Sequence, residues 1–227
     1  MGFRMDRRVT IAFMLVLISS LAFIVVDMNY VFFWEVPSHN FEWGVSVGDE
    51  FELYCSANGV VEYPPYNAES IALSILANTS IIVRIETLPS VDISSETDFL
   101  DFVSLNKVST RFTNGSSIPT NISSTLNSLI SKFIMPIGGW YYLDSLFPDS
   151  VQDAGQIDTY CDTYTSQRNN ETFTFGYRYF IIDAGHWWYG NVSCSNGAPL
   201  VIMTASASYH PPYVSYSWTF RLDRITS

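Results

Sequence analysis

V-S-Y-S-W-T-F-R-L-D-R-I, residues 214–225, is the stretch on which the fold turns. Val214, Tyr216, Trp218, Phe220 and Leu222 alternate with Ser215, Ser217, Thr219, Arg221 and Asp223. A period of two belongs to a strand with one apolar and one wet face. The same reading extends upstream. His186–Cys194 and Leu200–Tyr209 flank Ser195-Asn196-Gly197, a hairpin signal. In Thr172–Ile182, Phe173, Phe175, Tyr177 and Tyr179 share one face and Thr172, Thr174, Gly176 and Arg178 the other. Ile157–Thr165 precedes it across a polar turn, Ser166–Glu171. These strands, closely spaced, predict an antiparallel meander with one apolar face.

That face needs a cover. Ile122, Leu126, Leu129, Ile130 and Phe133 recur at helical spacing. Thr120 or Asn121 can cap this helix, Pro119 stands just outside it, and Pro136 with Gly138-Gly139 stops it. Trp140–Pro148 reads as a short second helix, followed by an acidic loop, Asp149–Gly155. Nearer the N-terminus, Gly48-Asp49 reads as a turn into a strand with Phe51, Leu53 and Cys55 on one side. Residues 63–69, with Pro64-Pro65, read as loop, Ile81–Thr87 as a β-branched strand and Val108–Phe112 as a weaker one. The expected class is α+β: a β-rich curved antiparallel sheet, closed by the C-terminal meander and packed by one or two helices.

An N-terminal transmembrane helix is expected in addition. Residues 9–26 form an uncharged run of eighteen, at the short end of what spans a bilayer. Arg4, Arg7 and Arg8 precede it and favour a cytoplasmic N-terminus. Ser20-Leu21-Ala22 offers a cleavage site, yet Phe23-Ile24-Val25-Val26 carries the run past it, so a signal anchor is preferred to a cleaved peptide. The expected layout is a basic cytoplasmic segment at 1–8, the anchor at 9–26, a linker at 27–42 and an extracytoplasmic domain at 43–227. The aromatics of Val31–Trp34 suit the membrane interface.

From Asp27 onward, eight basic residues face twenty-one acids, a formal charge of −13 against −11 for the whole chain. Such a surface repels phosphate backbones, so nucleic-acid binding is excluded as an expectation. Hydrophobic residues make up 48% of the chain, which allows a real core. Aromatics reach 16%, and Phe and Tyr favour pleated, half-buried surfaces.

No residue pattern assigns a catalyst, a metal site or a cofactor. His39, His186 and His210 are scattered and read as loop histidines. There is no C-x-x-C, G-x-S-x-G or P-loop lysine motif. Asp144, Asp149, Asp153, Asp158 and Asp162 cluster without the spacing of a calcium loop. Of Cys55, Cys161 and Cys194, the last two fall two strands apart, roughly 9–10 Å, beyond the about 7 Å a disulfide spans. Cys55 could pair with either; the reading preferred is three small buried residues. Five N-x-[ST] acceptors, Asn78, Asn114, Asn121, Asn170 and Asn191, suit a glycoprotein.

The aromatics are the remaining lead. Trp140, Tyr141, Tyr142, Trp187, Trp188, Tyr189, Tyr213 and Tyr216 can line a pocket or a sugar platform, or simply pack. Trp187 and Trp188 must face opposite sides of a strand, so at most one belongs to the core.

At W-G-V-x-V-G-D-x-F, Trp43 to Phe51, the chain resembles a group of archaeal envelope proteins of unassigned activity. The resemblance implies a hydrophobic N-terminal segment, a β-rich body and a surface location. The order of strands, helix and closing meander also looks like bacterial lipoprotein carriers of the LolA and LppX type, in which a curved sheet and helices enclose an apolar cavity. The analogy is of fold alone.

Three functions follow as expectations. The first is a membrane-tethered binding module that holds an apolar or lipid-like ligand between sheet and helix, lined by Leu126, Phe133, Phe173, Phe175, Trp218 and Phe220. The second is an envelope structural or interaction protein with a filled core. The third is a secreted hydrolase. The partners expected are the membrane, through residues 9–26, and an apolar ligand or an envelope protein.

Overall fold

The computed structural model describes residues 40–59, 72–147, 160–181, 184–210 and 214–225. Asn40–Ser227 forms one compact unit, distinct from Met1–His39. The anchor at 9–26, the aromatics at 31–34, His39, the loop at 63–69 and the acidic loop after Pro148 lie outside the described residues. Among the described residues no helix is long and apolar enough to cross a membrane.

The elements run β1 (Glu50–Gly59), β2 (Thr79–Thr87), α1 (Glu96–Leu105), β3 (Lys107–Phe112), α2 (Thr120–Ser131), α3 (Trp140–Ser145), β4 (Tyr160–Arg168), β5 (Thr172–Ile181), β6 (Ala184–Ser193), β7 (Pro199–His210) and β8 (Val214–Arg224). The meander forms as its alternation predicts. It is also part of something larger: one curved, antiparallel, eight-stranded sheet in the order β3-β2-β1-β8-β7-β6-β5-β4. The joint is β1 against β8, with Cys55 opposite Leu222 and Ala57 opposite Phe220. In register, Phe51, Leu53 and Cys55 therefore extend the apolar face of Phe220 and Leu222.

Local chemistry sets several boundaries. The β4–β5 turn is shorter than expected, because β4 continues through Arg168. Only Asn169-Asn170-Glu171 remain, and the Asn169 side-chain oxygen accepts from the Glu171 and Thr172 amides at 2.8 and 2.7 Å. In α2 neither Thr120 nor Asn121 acts as the cap. Both already lie in the helix, and the Pro119 carbonyl accepts from the Ile122 and Ser123 amides without a side-chain cap.

Helix α1 is an addition to the elements expected from periodicity. Ser95 caps it by accepting from the Asp98 amide at 3.1 Å, and Asp98 reaches back to Ser94. Those bonds, led by the Ser94 hydroxyl, hold the Asp98 carboxyl below its ordinary range. Phe99, Phe102 and Val103 then form its buried stripe.

Among the described residues α1, α2 and α3 all contribute to the inner face, more than the one or two helices expected, and the helical residues 72–74 add Leu73 to the same core. Helix α2 packs on β3, and α3 packs on β4. Over the meander lie Phe99 from α1, Trp140 from α3, and Phe133 just beyond α2. Asn106, buried after α1, clamps this layer: its side-chain amide donates to the Ser131 and Ile134 carbonyls at 3.3 and 2.7 Å. Asn106→Ala is expected to cost about 2 kcal/mol, since two buried carbonyls lose a donor, and the midpoint of urea unfolding measures it.

Candidate functional site

The six residues expected to line a cavity are buried members of the hydrophobic core among the described residues. Leu126, Phe133, Phe173, Phe175 and Phe220 are fully buried and Trp218 is 3% exposed. Their rings, where they have them, meet other rings. Phe175 meets Phe99 at 5.1 Å, Phe147 at 5.3 Å, Trp188 at 5.5 Å and Tyr164 at 5.9 Å. Phe173 meets Trp140 at 5.3 Å, and Trp218 stacks beside Phe220 at 6.3 Å. These separations are those of packed aromatic pairs. The Trp218 indole N–H donates to Ser74, and Leu73 and Leu76 are buried beside that residue in the chain.

The opposite face of the sheet carries the depression of interest. Strand alternation settles the Trp187-Trp188 question: Trp188 is buried at 9% exposure on the inner face, and Trp187 lies half-buried on the outer one. Gly176 faces outward and is paired with Tyr189. A Cβ there would stand 2.9 Å from the Tyr189 Cβ and 3.1 Å from the Trp188 carbonyl oxygen, so only glycine fits. The missing side chain leaves a hollow of about 260 Å³, walled by Thr165, Arg178, Trp187 and Tyr189. One strand over, the Phe180 ring covers Gly185, its cross-strand partner. Trp187 stacks on Phe180 at 5.5 Å and 17°, and the Arg178 guanidinium lies 4.6 Å from the same ring. An aromatic wall is thus fixed from below. Among the described residues that line the hollow there is no carboxylate, and Arg178 is the charged one.

A second depression, about 430 Å³, lies at the far end of β5 and β6, between Glu171, Ser193, Cys194 and Leu200. Ser193 and Ser195 share a hydroxyl–hydroxyl bond of 2.8 Å beside it. Elsewhere on the outer face, Arg111 grips Glu50 with two bonds of 3.0 and 2.8 Å. Chiefly for that reason the Glu50 carboxyl titrates below its usual range.

His186 lies within β6, in keeping with the strand expected at His186–Cys194 and not with its reading as a loop histidine. It sits within β6 opposite Tyr179 on one side and Ser206 on the other, on the inner face. Asp162 lies beyond Tyr179, two strands away from it. Among the described residues no group of three or more His, Cys, Asp and Glu side chains is placed to hold a metal.

Asn114 and Asn170 occupy turns and are exposed, Asn121 is exposed on α2 and Asn78 is exposed at a positive φ before β2. Asn191 instead lies on the outer sheet face, where its side-chain oxygen accepts from Thr174 at 2.9 Å.

Cys55 and Cys194 are free thiols. Cys161 pairs with Phe180 at one end of the sheet and Cys194 follows β6 at the other, so the strands hold their backbones about 30 Å apart. Cys55 is a core residue, and burial pushes its thiol up to about 12. The folded state therefore keeps a proton that the unfolded chain releases above about 9. Stability is expected to fall as pH rises from about 9 to about 12, by up to about 1.4 kcal/mol per pH unit from this group. Cys55→Ala should flatten that slope, measured as the urea midpoint against pH.

Comparison with models of protein families, with curated proteins and with solved structures finds no match to this chain.

Proposed function

We propose that this chain is a membrane-anchored binding module of the cell envelope, without catalytic residues, that engages its partner through the face of its sheet opposite α1, α2 and α3. The anchor is residues 9–26 and the working surface is the hollow beside Trp187 and Tyr189. One observation carries the reading: the inner aromatics pack ring against ring, while the outer face keeps an aromatic hollow over Gly176. A lipid-like ligand between helix and sheet would need the room that the rings around Phe175 occupy. Burying its apolar surface would not repay opening that core, because the core already buries its own.

Photo-crosslinking in intact cells tests the proposal. A photoreactive side chain at Tyr189 of the full-length chain should yield a discrete adduct. The same group at Ser124, exposed on α2, should yield none. Equal labelling at both positions, or an adduct at Ser124 alone, would overturn it.

A further inference from the structure

We infer that the turn at Asn114 converts its own asparagine into aspartate and isoaspartate, a covalent modification that the backbone of the turn performs in water. Glycine follows asparagine at three places, Asn58, Asn114 and Asn196. At such a step the glycine amide nitrogen, with no side chain beside it, can reach the carbonyl carbon of the preceding side chain. The fold sets the three apart.

Asn114 and Gly115 lie in the turn after β3, and residues 113–117 are all exposed. Gly115 stands at φ +85 with nothing within 4 Å of an added Cβ, so its surroundings leave the peptide room to rotate. The Asn114 side-chain oxygen accepts two bonds, from the Ser116 amide at 2.9 Å and from the Ser116 hydroxyl at 2.7 Å. Both bonds fold the side chain forward over Gly115. Both donors also stand at the atom on which negative charge gathers when the carbonyl is attacked, which lowers the barrier. One bond must break first, from the Gly115 amide to the Phe112 carbonyl at 2.9 Å, and at this exposed turn water replaces it.

The other two steps are held differently. Asn58 and Gly59 are ladder residues of β1, opposite Thr219 and Trp218. Ring closure turns the asparagine backbone out of the extended range, so it would unpair them from β8. The Asn58 oxygen accepts at 2.8 Å from the Gly59 amide, the nitrogen that would have to attack. Asn196 is the closer comparison. Its oxygen accepts from the Ala198 amide at 3.0 Å, the same backbone bond without the hydroxyl donor, because alanine stands where the other turn has Ser116. Gly197 is buried, donates to the Ser193 carbonyl at 2.8 Å and accepts from the Met135 amide at 2.9 Å. These bonds clamp the peptide that would have to rotate.

The reaction balances with water alone. The Gly115 amide gives its proton to solvent base, and its nitrogen forms a bond to Asn114 Cγ. The Cγ–Nδ2 bond breaks, and Nδ2 leaves as ammonia with a proton from solvent. Water then opens the imide ring at one carbonyl or the other, giving aspartate or isoaspartate. Isoaspartate carries its Cβ in the main chain, so the turn becomes one atom longer. The bond from the Phe112 amide to the Ser116 carbonyl, 3.0 Å, and the bridge between Arg111 and Ser117 then lose their register. Both fold the chain back along β3, an edge strand of the sheet. Either product also erases the Asn-Gly-Ser glycan acceptor.

The test is peptide mapping by mass spectrometry on the full-length chain, made in a host that adds no glycan and aged in detergent in heavy-oxygen water. Asn114 should gain a solvent oxygen and appear as both aspartate and isoaspartate, faster at mildly alkaline than at mildly acidic pH. Asn58 and Asn196 should lag by roughly tenfold or more. Gly115→Ala should slow the conversion roughly tenfold, by hindering the approach, and Ser116→Ala roughly fivefold, by removing a donor at the oxygen. Each variant is checked for cooperative unfolding. Asn58 or Asn196 converting as fast as Asn114 would overturn the inference, and so would aspartate without isoaspartate, the mark of direct attack by water. A rate unchanged by Ser116→Ala would show that the turn lends no help. Asn114 intact in the folded chain but converted in urea would show that the fold protects it, the reverse of the inference.

Discussion

Phe175→Ala is expected to destabilise the unit Asn40–Ser227 by about 3–5 kcal/mol, the cost of removing a fully packed phenylalanine. Phe175 is fully buried, and four rings from four different parts of the chain converge on it: Phe99 of α1, Phe147 after α3, Tyr164 of β4 and Trp188 of β6. None of them can collapse into the gap without breaking a second contact. Against a typical domain stability of about 5–15 kcal/mol this is a large loss. The measurement is the urea unfolding midpoint at constant slope. A residue that merely lined an occupied ligand cavity would behave otherwise. Its truncation would leave the unliganded protein nearly as stable, so a loss below about 1 kcal/mol would contradict the packing described.

Gly197→Ala should cost about 3 kcal/mol or more, through a different cause. Gly197 stands at φ +72, a left-handed conformation that side chains resist. An added Cβ would also fall 1.8 Å from the Met135 carbonyl oxygen, a backbone atom that cannot swing aside. The β6–β7 loop must then move, and the bond from the Met135 amide to the Gly197 carbonyl is strained or lost. Gly115 provides the control. Its φ is +85, but nothing lies within 4 Å of an added Cβ, so Gly115→Ala should cost only about 1 kcal/mol. Thermal unfolding of the two variants side by side separates backbone conformation from collision. Equal losses would show that the Met135 contact does not constrain the loop.

The strand pattern was legible because a half-buried strand leaves a period of two in its residues. Val214 to Asp223 shows it without interruption, and Phe173 to Tyr179 shows it again. The pairing of β1 with β8 was not legible. Periodicity describes one strand's faces, and nothing local names a partner some 160 residues away. Helix α1 was missed for another reason. Its apolar stripe is short, and its best signal, Ser95 with Asp98 three residues on, is a cap that had to be read together with Phe99, Phe102 and Val103. His186 opens the strand expected at His186–Cys194, and in the fold it is paired on both sides by Tyr179 and Ser206.

The candidate site was half visible. Alternation alone required Trp187 and Trp188 to part company, but which one turned inward depended on the register with β5. The hollow depends on that register too. Gly176 matters because Tyr189 is opposite it, a fact absent from either residue's neighbourhood in sequence. Where only core packing is required, many apolar residues will serve. A gap of this kind needs glycine at one position and rings on its flanks.

The most direct test of the central claim, that binding belongs to the outer face and not to the core, is native mass spectrometry with lipid extraction on Asn40–Ser227 purified from its expression host. The account predicts a mass equal to the polypeptide and any attached glycan, no extractable lipid, and one cooperative unfolding transition. A lipid that survives washing and is lost on Phe175→Ala or Trp218→Ala would contradict it and place the ligand between the helices and the sheet.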